Sequence, residues 1–263
     1  MKCLVRALPL LMAMMCSART DEKESTELLK PPLRPGQVLD PDSQYAKTWP
    51  GKPALFKLKD NLILQIPPQF HQFWAQLHWI TGIDRVPRPP MPLDKIPAIA
   101  LIGFVMHRPD FEGYTPDNYL NNFDLTRVEI VNISPAPMSY MEPGAPGSYA
   151  PNALARNFKY RGADPEKYED LHGLRCYAEP GFLSERTCYG RRDSNLEEYL
   201  ILRIKVPPYE SHVVFPTMRT SYFSPKYGGL EISWRSHMQN FPHWREIDAQ
   251  IWKYLDAWNI AGR

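Results

Sequence analysis

Thr220-Ser-Tyr-Phe-Ser-Pro-Lys-Tyr-Gly-Gly-Leu-Glu-Ile-Ser-Trp234 is the stretch on which the fold turns. Two short runs carrying Thr, Tyr, Phe, Ile and Trp flank SPKYGG, and the glycines at 228 and 229 suit a hairpin connection. Upstream, YLILRIKV at 199–206 reads as a strand that Pro207-Pro208 ends. Downstream, Asn240-Phe241-Pro242 offers an N-cap asparagine with proline beside the first helical position. Trp244, Ile247, Ile251, Leu255 and Trp258 then recur at intervals of three and four, one face of a helix running to about Ala257. Glu246 and Asp248 fall near its positive end, where the macrodipole favours them. Trp252 and Tyr254 lie off the apolar stripe and are expected at the surface.

The same pattern of short strands continues toward the N-terminus. ALFKLK at 54–59 and LILQI at 62–66 predict two strands across a Lys59-Asp60-Asn61 turn. Phe70, Phe73, Trp74, Leu77 and Ile80 have helical spacing. Residues 99–106 form an apolar run of strand length, and 126–133 is rich in Val and Ile. Between them, 107–124 reads as a long loop. Residues 134–170 are expected to be mostly irregular, because SPAPMSYMEPGAPGSYAP is dense in proline and glycine. Long loops inside a domain are commonly functional or disordered. Both are therefore candidate contact surfaces, with a passive insertion as the alternative.

These elements, with 28 prolines in 263 residues, predict an α+β fold: mostly antiparallel short strands, long proline-rich loops and a C-terminal amphipathic helix. Residues 51–263 are expected to form one such domain. LILQI before Pro67-Pro68 echoes YLILRIKV before Pro207-Pro208, which leaves open two related halves at about 51–160 and 161–263.

The first eighteen residues, MKCLVRALPLLMAMMCSA, have the layout of a secretory signal peptide: Lys2 and Arg6, then an apolar run of about nine residues, then small residues. That run is far short of the roughly 20 residues that span a bilayer. Two readings of its end compete, cleavage after Ala18 or lipidation of Cys16. The small-x-small pattern of Cys16 and Ala18 supports the first. The polar, proline-rich tether at 19–50 suits the second, although Met15 is a poor residue before a lipidated cysteine. An exported protein is expected in either case, in the periplasm, with membrane contact only through an anchor at Cys16.

Without the leader, 31 basic side chains less Lys2 and Arg6 match 29 acidic ones. No charge excess argues for nucleic acid. Of four cysteines, Cys3 and Cys16 belong to the leader. Cys176 and Cys188 remain, an even pair that reads as a disulfide in an oxidising compartment, across the turn at Pro180-Gly181.

Chemical motifs are sparse. The chain has no G-x-S-x-G elbow and no S-x-x-K, and PGSYA at 146–150 lacks the second glycine. The histidines at 71, 78, 107, 172, 212, 237 and 243 form no H-x-x-x-H pair, so no metal site is predicted. Glycine-rich phosphate loops are missing, and no cofactor is expected. Glu169-Asp170 and Glu197-Glu198 read as solvated charge. What stands out is an aromatic surplus of 7 Trp, 14 Tyr and 11 Phe. Phe111, Tyr114, Tyr119, Tyr140 and Tyr149 on the long loops, with Trp252 and Tyr254, are the candidate interface residues, since aromatic side chains anchor protein contacts.

Arg219-Thr-Ser-Tyr-Phe-Ser-Pro-Lys-Tyr-Gly-Gly-Leu-Glu-Ile-Ser-Trp-Arg235 and Pro242-His-Trp-Arg-Glu-Ile-Asp-Ala-Gln-Ile-Trp252 resemble exported proteins of Gram-negative bacteria encoded beside type VI secretion effectors. These are periplasmic immunity proteins, including those paired with antibacterial lipases. The resemblance covers about the last 65 residues, with a weaker echo at LILQIPP, and carries no catalytic motif. It implies a non-enzymatic inhibitor whose partner is a cognate secreted effector toxin, with a phospholipase as one candidate. A periplasmic hydrolase with a non-local active site and a structural envelope or secretion-accessory lipoprotein are the alternatives.

Overall fold

The computed structural model describes residues 54–70, 96, 98–114, 118, 123–192, 198–209 and 215–261. The leader with Cys16, the tether, the helical spacing at 73–80 and Tyr119 lie outside them.

The hairpin at 220–234 is the middle of an eight-stranded antiparallel sheet. Its strands are β9 (Thr217–Ser224) and β10 (Leu230–His237), with Ser224 opposite Leu230 and Thr217 opposite His237. The turn needs left-handed backbone at Tyr227, Gly228 and Gly229 (φ 56°, 76° and 100°), which glycine accepts at least cost. Lys59 Nζ closes it from outside, donating to the carbonyls of Gly228 (2.5 Å) and Gly229 (2.9 Å).

Sheet order is β3-β4-β10-β9-β8-β7-β6-β5, every neighbouring pair antiparallel. The consecutive strands β5 (Tyr168–Leu171), β6 (Leu174–Glu179), β7 (Phe182–Arg191) and β8 (Tyr199–Lys205) lead into β9 and β10. β3 (Ile102–His107) and β4 (Arg127–Pro135) extend the far edge through β10. β1 (Ala54–Lys59) and β2 (Leu62–Ile66) form a separate two-stranded sheet. The echoed segments 62–66 and 199–206 lie in different sheets, β2 pairing with β1 while β8 sits inside the large sheet.

Cys176 and Cys188 face each other across β6 and β7 and are joined by a disulfide. The twelve-residue separation and the turn at Pro180-Gly181 make them direct cross-strand neighbours.

One face of the sheet is covered by α2 (Trp244–Trp258). Its stripe of Trp244, Ile247, Ile251, Leu255 and Trp258 is buried against inward residues that include Phe104, Ile130, Tyr222, Ile232 and Trp234. Each large apolar side chain buried here contributes about 1.5–3 kcal/mol relative to exposure. The same core takes Leu62, Leu64 and Ile66 from β2. The tail clips that hairpin in place: Ile260 N donates to Ile63 O at 2.8 Å, and Ile63 N donates to Asn259 Oδ1 at 3.1 Å. No helix among the described residues is long and apolar enough to cross a membrane.

Three expectations are corrected. Asn240 is not an N-cap. It lies in a 3-10 segment at Met238–His243, buried, donating to Leu125 O and Ser236 Oγ and accepting from Arg108. Competing buried acceptors claimed its amide, and α2 starts at Trp244 without a side-chain cap. Trp252 is only 8% exposed. The buried arc of α2 is wider than its main stripe, because Asp248 and Trp252, one turn apart, face Arg192 and Tyr222. Finally, 134–170 contains α1 (Ala150–Arg161). Pro151 occupies the first turn, where its missing N–H costs nothing, and Gly162 (φ 73°) takes the left-handed C-terminal position.

Candidate partner-binding surface

Among the described residues, the sheet face opposite α2 is only partly covered. α1 lies over β6 to β8, with Phe158 edge-on to Tyr177 (ring centroids 5.0 Å) and Arg161 paired to Glu179 at 2.5 Å. Beside it runs the proline-rich loop at 135–147. Asn152 Nδ2 donates to Tyr140 O (3.1 Å) and Glu142 O (2.7 Å), while its Oδ1 accepts from Gly144 N (3.3 Å). Arg156 donates to Ala145 O (2.8 Å) and to Gly147 O. Tyr140 packs on the Gly147 backbone, where any Cβ would run into its ring. Phe223 N donates to Ser148 O at 3.1 Å, pinning the far end to β9. Two side chains of α1 thus brace a loop that also forms its own 3-10 turn at Met138–Met141 and donates from Ala136 N to Gly229 O at 3.1 Å.

That loop presents apolar groups to solvent. Met138 is 48% and Met141 38% exposed, among exposed Pro135, Pro137, Pro143 and Pro146. Proline and a clipped backbone leave little entropy to lose on binding, and methionine adapts to a partner's shape. The arrangement has the rigidity and apolar exposure of a candidate contact surface.

Further along the same face, β8, β9 and β10 expose Arg203, Arg219 and Arg235. Arg203 is opposite Arg219, and Arg219 opposite Arg235. Burial holds Arg203 below the ordinary arginine value first, with Arg161 and Arg219 acting in the same direction against Glu179 and Glu185.

The candidate interface aromatics separate into groups. Tyr140 and Tyr149 are half-buried beside the loop, both packed against Phe223 at centroid distances of 6.0 and 6.4 Å. Phe111 and Tyr254 belong together near the α2 side, with the Tyr254 hydroxyl donating to Phe111 O at 2.5 Å, both packed against the core. Tyr114 is 5% exposed and Trp252 is 8%, so neither offers surface to a partner. Tyr114 folds inward against His107 (5.5 Å) because its loop returns to the sheet, with His107 N donating to Glu112 O. Met138, Met141 and the three arginines were missed by aromatic counting. Period-two alternation in β8 to β10 was the available signal for the arginines. Good helix formers between Pro151 and Gly162 were the signal for α1.

Titratable groups cluster in two buried places. Arg192 is held by Asp248 (Nε to Oδ2 2.8 Å) and Glu198, with its guanidinium over the rings of Tyr222 and Trp252. Asp248 also accepts from the Tyr222 hydroxyl at 2.6 Å. Burial, then the Asp248 charge, pushes the Tyr222 phenol well up. Glu198 also accepts from Ser224, so it is a half-buried partner, not solvated charge. Every member of this cluster has a protein partner, and the cluster locks α2 to β9. The second place is His107, 6% exposed, with Nε2 3.8 Å from Asp124. Its value is lowered by burial first, against Asp124, with Arg127 adding to the lowering. Among the described residues no group of three His, Cys, Asp or Glu could hold a metal ion.

No protein-family model matches the chain, and no curated protein matches it. Among solved structures the chain is similar to an immunity protein of the Stenotrophomonas maltophilia type IV secretion system, at 11% identity and a TM-score of 0.46 over 79% of this chain and 93% of that chain. At that identity and score the likeness assigns neither family nor function.

Proposed function

We propose that this chain is an exported immunity protein, a non-enzymatic binder that neutralises a secreted antibacterial effector in the periplasm. The observation that carries this reading is the clipped, apolar loop at 135–147. A surface held rigid and left uncovered by the described residues suits stoichiometric binding, where affinity depends on how little must be ordered. A disulfide between Cys176 and Cys188 is consistent with an oxidising compartment. The finer identification, a type VI effector of lipase type, draws on the resemblance of the C-terminal block alone. Blocking such an enzyme takes roughly 800 Å² per partner with a few strong anchors.

The test is periplasmic co-expression of the exported protein with the effector encoded beside its gene. Survival should be restored by the wild-type chain. It should be lost in Asn152→Ala/Arg156→Ala, which frees the loop and leaves the sheet and α2 untouched, as far-UV circular dichroism would verify. Equal killing with and without the wild-type protein sinks the proposal.

A further inference from the structure

Three exposed arginines stand in direct cross-strand register on β8, β9 and β10. Neighbouring strands lie about 4.8 Å apart, so Arg203, Arg219 and Arg235 rise from the sheet within about 10 Å of one another. Like charges directly opposite each other destabilise a sheet. Among the described residues, the fold offsets this only at the ends of the row. Arg235 forks onto Glu129, with Nε at 2.9 Å and Nη2 at 2.8 Å from Oε2. At the other end Arg161 pairs with Glu179, which also accepts from Thr187. Glu185 is drawn toward Lys205 at 3.7 Å. Among the described residues no carboxylate lies at ion-pair distance from Arg203 or Arg219.

A strand at this place needs no arginine at 219. Threonine would serve the sheet better, and a carboxylate would relieve two repulsions at once. Residues that break a local rule without local compensation are expected where function asks for them. The row also lies on the same face as the clipped loop: Arg219 and Phe223, four residues apart on β9, project to one side, and Phe223 lies under Tyr140 and Tyr149. Four residues of strand put the two features about 13 Å apart, within one interface footprint.

The geometry points to the Arg203–Arg219–Arg235 row as a docking strip for an acidic segment of a protein partner, carboxylates spaced at the strand interval. This deepens the immunity reading above by naming the chemistry that the effector would present. A helix with Asp or Glu at i, i+4 and i+8 has side chains about 5–6 Å apart, close to the strand spacing. Laid across the strands, it gives Arg203 and Arg219 a carboxylate each to fork onto and Arg235 a second one beside Glu129. A nucleic acid fits less well. Glu129, Glu179 and Glu231 interrupt the same face, the row is three strands wide, and the chain beyond the leader has balanced charge.

The probe is a fluorescent helical peptide of about fifteen residues carrying Glu at i, i+4 and i+8, with its Gln counterpart as reference. Anisotropy is read with the chain lacking its leader, at low and physiological salt. Wild type should bind the Glu peptide and not the Gln one. Arg219→Glu should weaken binding by about tenfold or more and remove most of its salt dependence. Lys253→Glu, on the exposed side of α2, should change neither. Arg219→Glu should also melt at the same temperature as wild type or higher, a result that a structural role for Arg219 would not give. The inference is overturned if wild type ignores the Glu peptide, or if Arg219→Glu binds it equally. It is also overturned if Arg219→Glu loses binding to duplex DNA or phosphatidylglycerol vesicles while keeping the peptide. The peptide assay uses no effector. Peptide binding without protection from the toxin would therefore sink the immunity reading and leave the strip standing, and the reverse result would do the opposite.

Discussion

Replacing Asp248 with Asn should destabilise the fold by about 3–5 kcal/mol, the usual cost of breaking a buried ion pair from one side. Asp248 is 2% exposed and the Arg192 side chain 7%, so water screens little of their attraction. The carboxylate accepts from Arg192 Nε (2.8 Å), the Tyr222 hydroxyl (2.6 Å) and Trp234 Nε1 (3.4 Å). Asparagine keeps the volume and one acceptor but turns an amide donor or a neutral oxygen toward the guanidinium. Arg192 is then left with Glu198 alone. A single domain has only about 5–15 kcal/mol in total, and each kcal/mol is worth about 2–4 °C at this size. The melting temperature should therefore fall by roughly 6–20 °C. Urea unfolding followed by tryptophan fluorescence and far-UV circular dichroism measures it, since Trp234 and Trp252 line the cluster. The triple change Arg192→Met/Tyr222→Phe/Asp248→Leu removes donors and acceptor together and should be less destabilising than Asp248→Asn alone. A loss below about 1 kcal/mol for Asp248→Asn would refute the reasoning, because only a solvent-screened pair is worth so little.

Other perturbations have clear signs. Reducing the Cys176–Cys188 bond, or Cys176→Ser/Cys188→Ser, should cost roughly 3 kcal/mol for a loop of this length. An unchanged urea midpoint under dithiothreitol would contradict that. His107 has a folded value below its ordinary 6.5, so the unfolded chain takes up a proton that the folded chain resists. Stability is then full above about 6.5 and lost as pH falls toward the lowered folded value, by up to about 1.4 kcal/mol per unit. Burial first sets where the loss ends, with Asp124 opposing the lowering and Arg127 adding to it. Urea midpoints at neutral and mildly acidic pH should diverge in wild type and converge in His107→Gln; parallel curves would count against the assignment.

Local sequence signals carried the strands and α2 because their chemistry is local. Alternation, the Gly228-Gly229 turn and the tryptophan and aliphatic spacing of 244–258 each act within a few residues, and each element lies where they place it. The pairing of Cys176 with Cys188 belongs to the same class, since a turn at Pro180-Gly181 almost dictates it. α1 was also written locally, in Pro151 and Gly162, but the proline-dense stretch before it masked the signal.

Tertiary contacts decided everything that depends on who lies across the way. Asn240 could have capped a helix and Asp248 could have met its dipole, yet Asn240 is held by Leu125 O, Ser236 and Arg108, and Asp248 by Arg192 and Tyr222. Trp252 was polar-side by its spacing and became core because Arg192, 60 residues earlier, needed a cover. The candidate surface arose in the same way. A run of prolines and methionines forms a short 3-10 turn by itself, but its place beside α1 is set by Asn152 and Arg156. Three arginines in three strands are unremarkable surface charge until antiparallel register sets them side by side. Register between β9 and β10 follows from their short turn, whereas that between β8 and β9 crosses a longer connection and comes only from the assembled sheet. The sequence by itself therefore determined the elements and one covalent link, through short-range sterics and hydrophobic periodicity. The packed fold alone decided which charges are buried, which are paired and which face outward, because burial and pairing are properties of residues far apart in the chain.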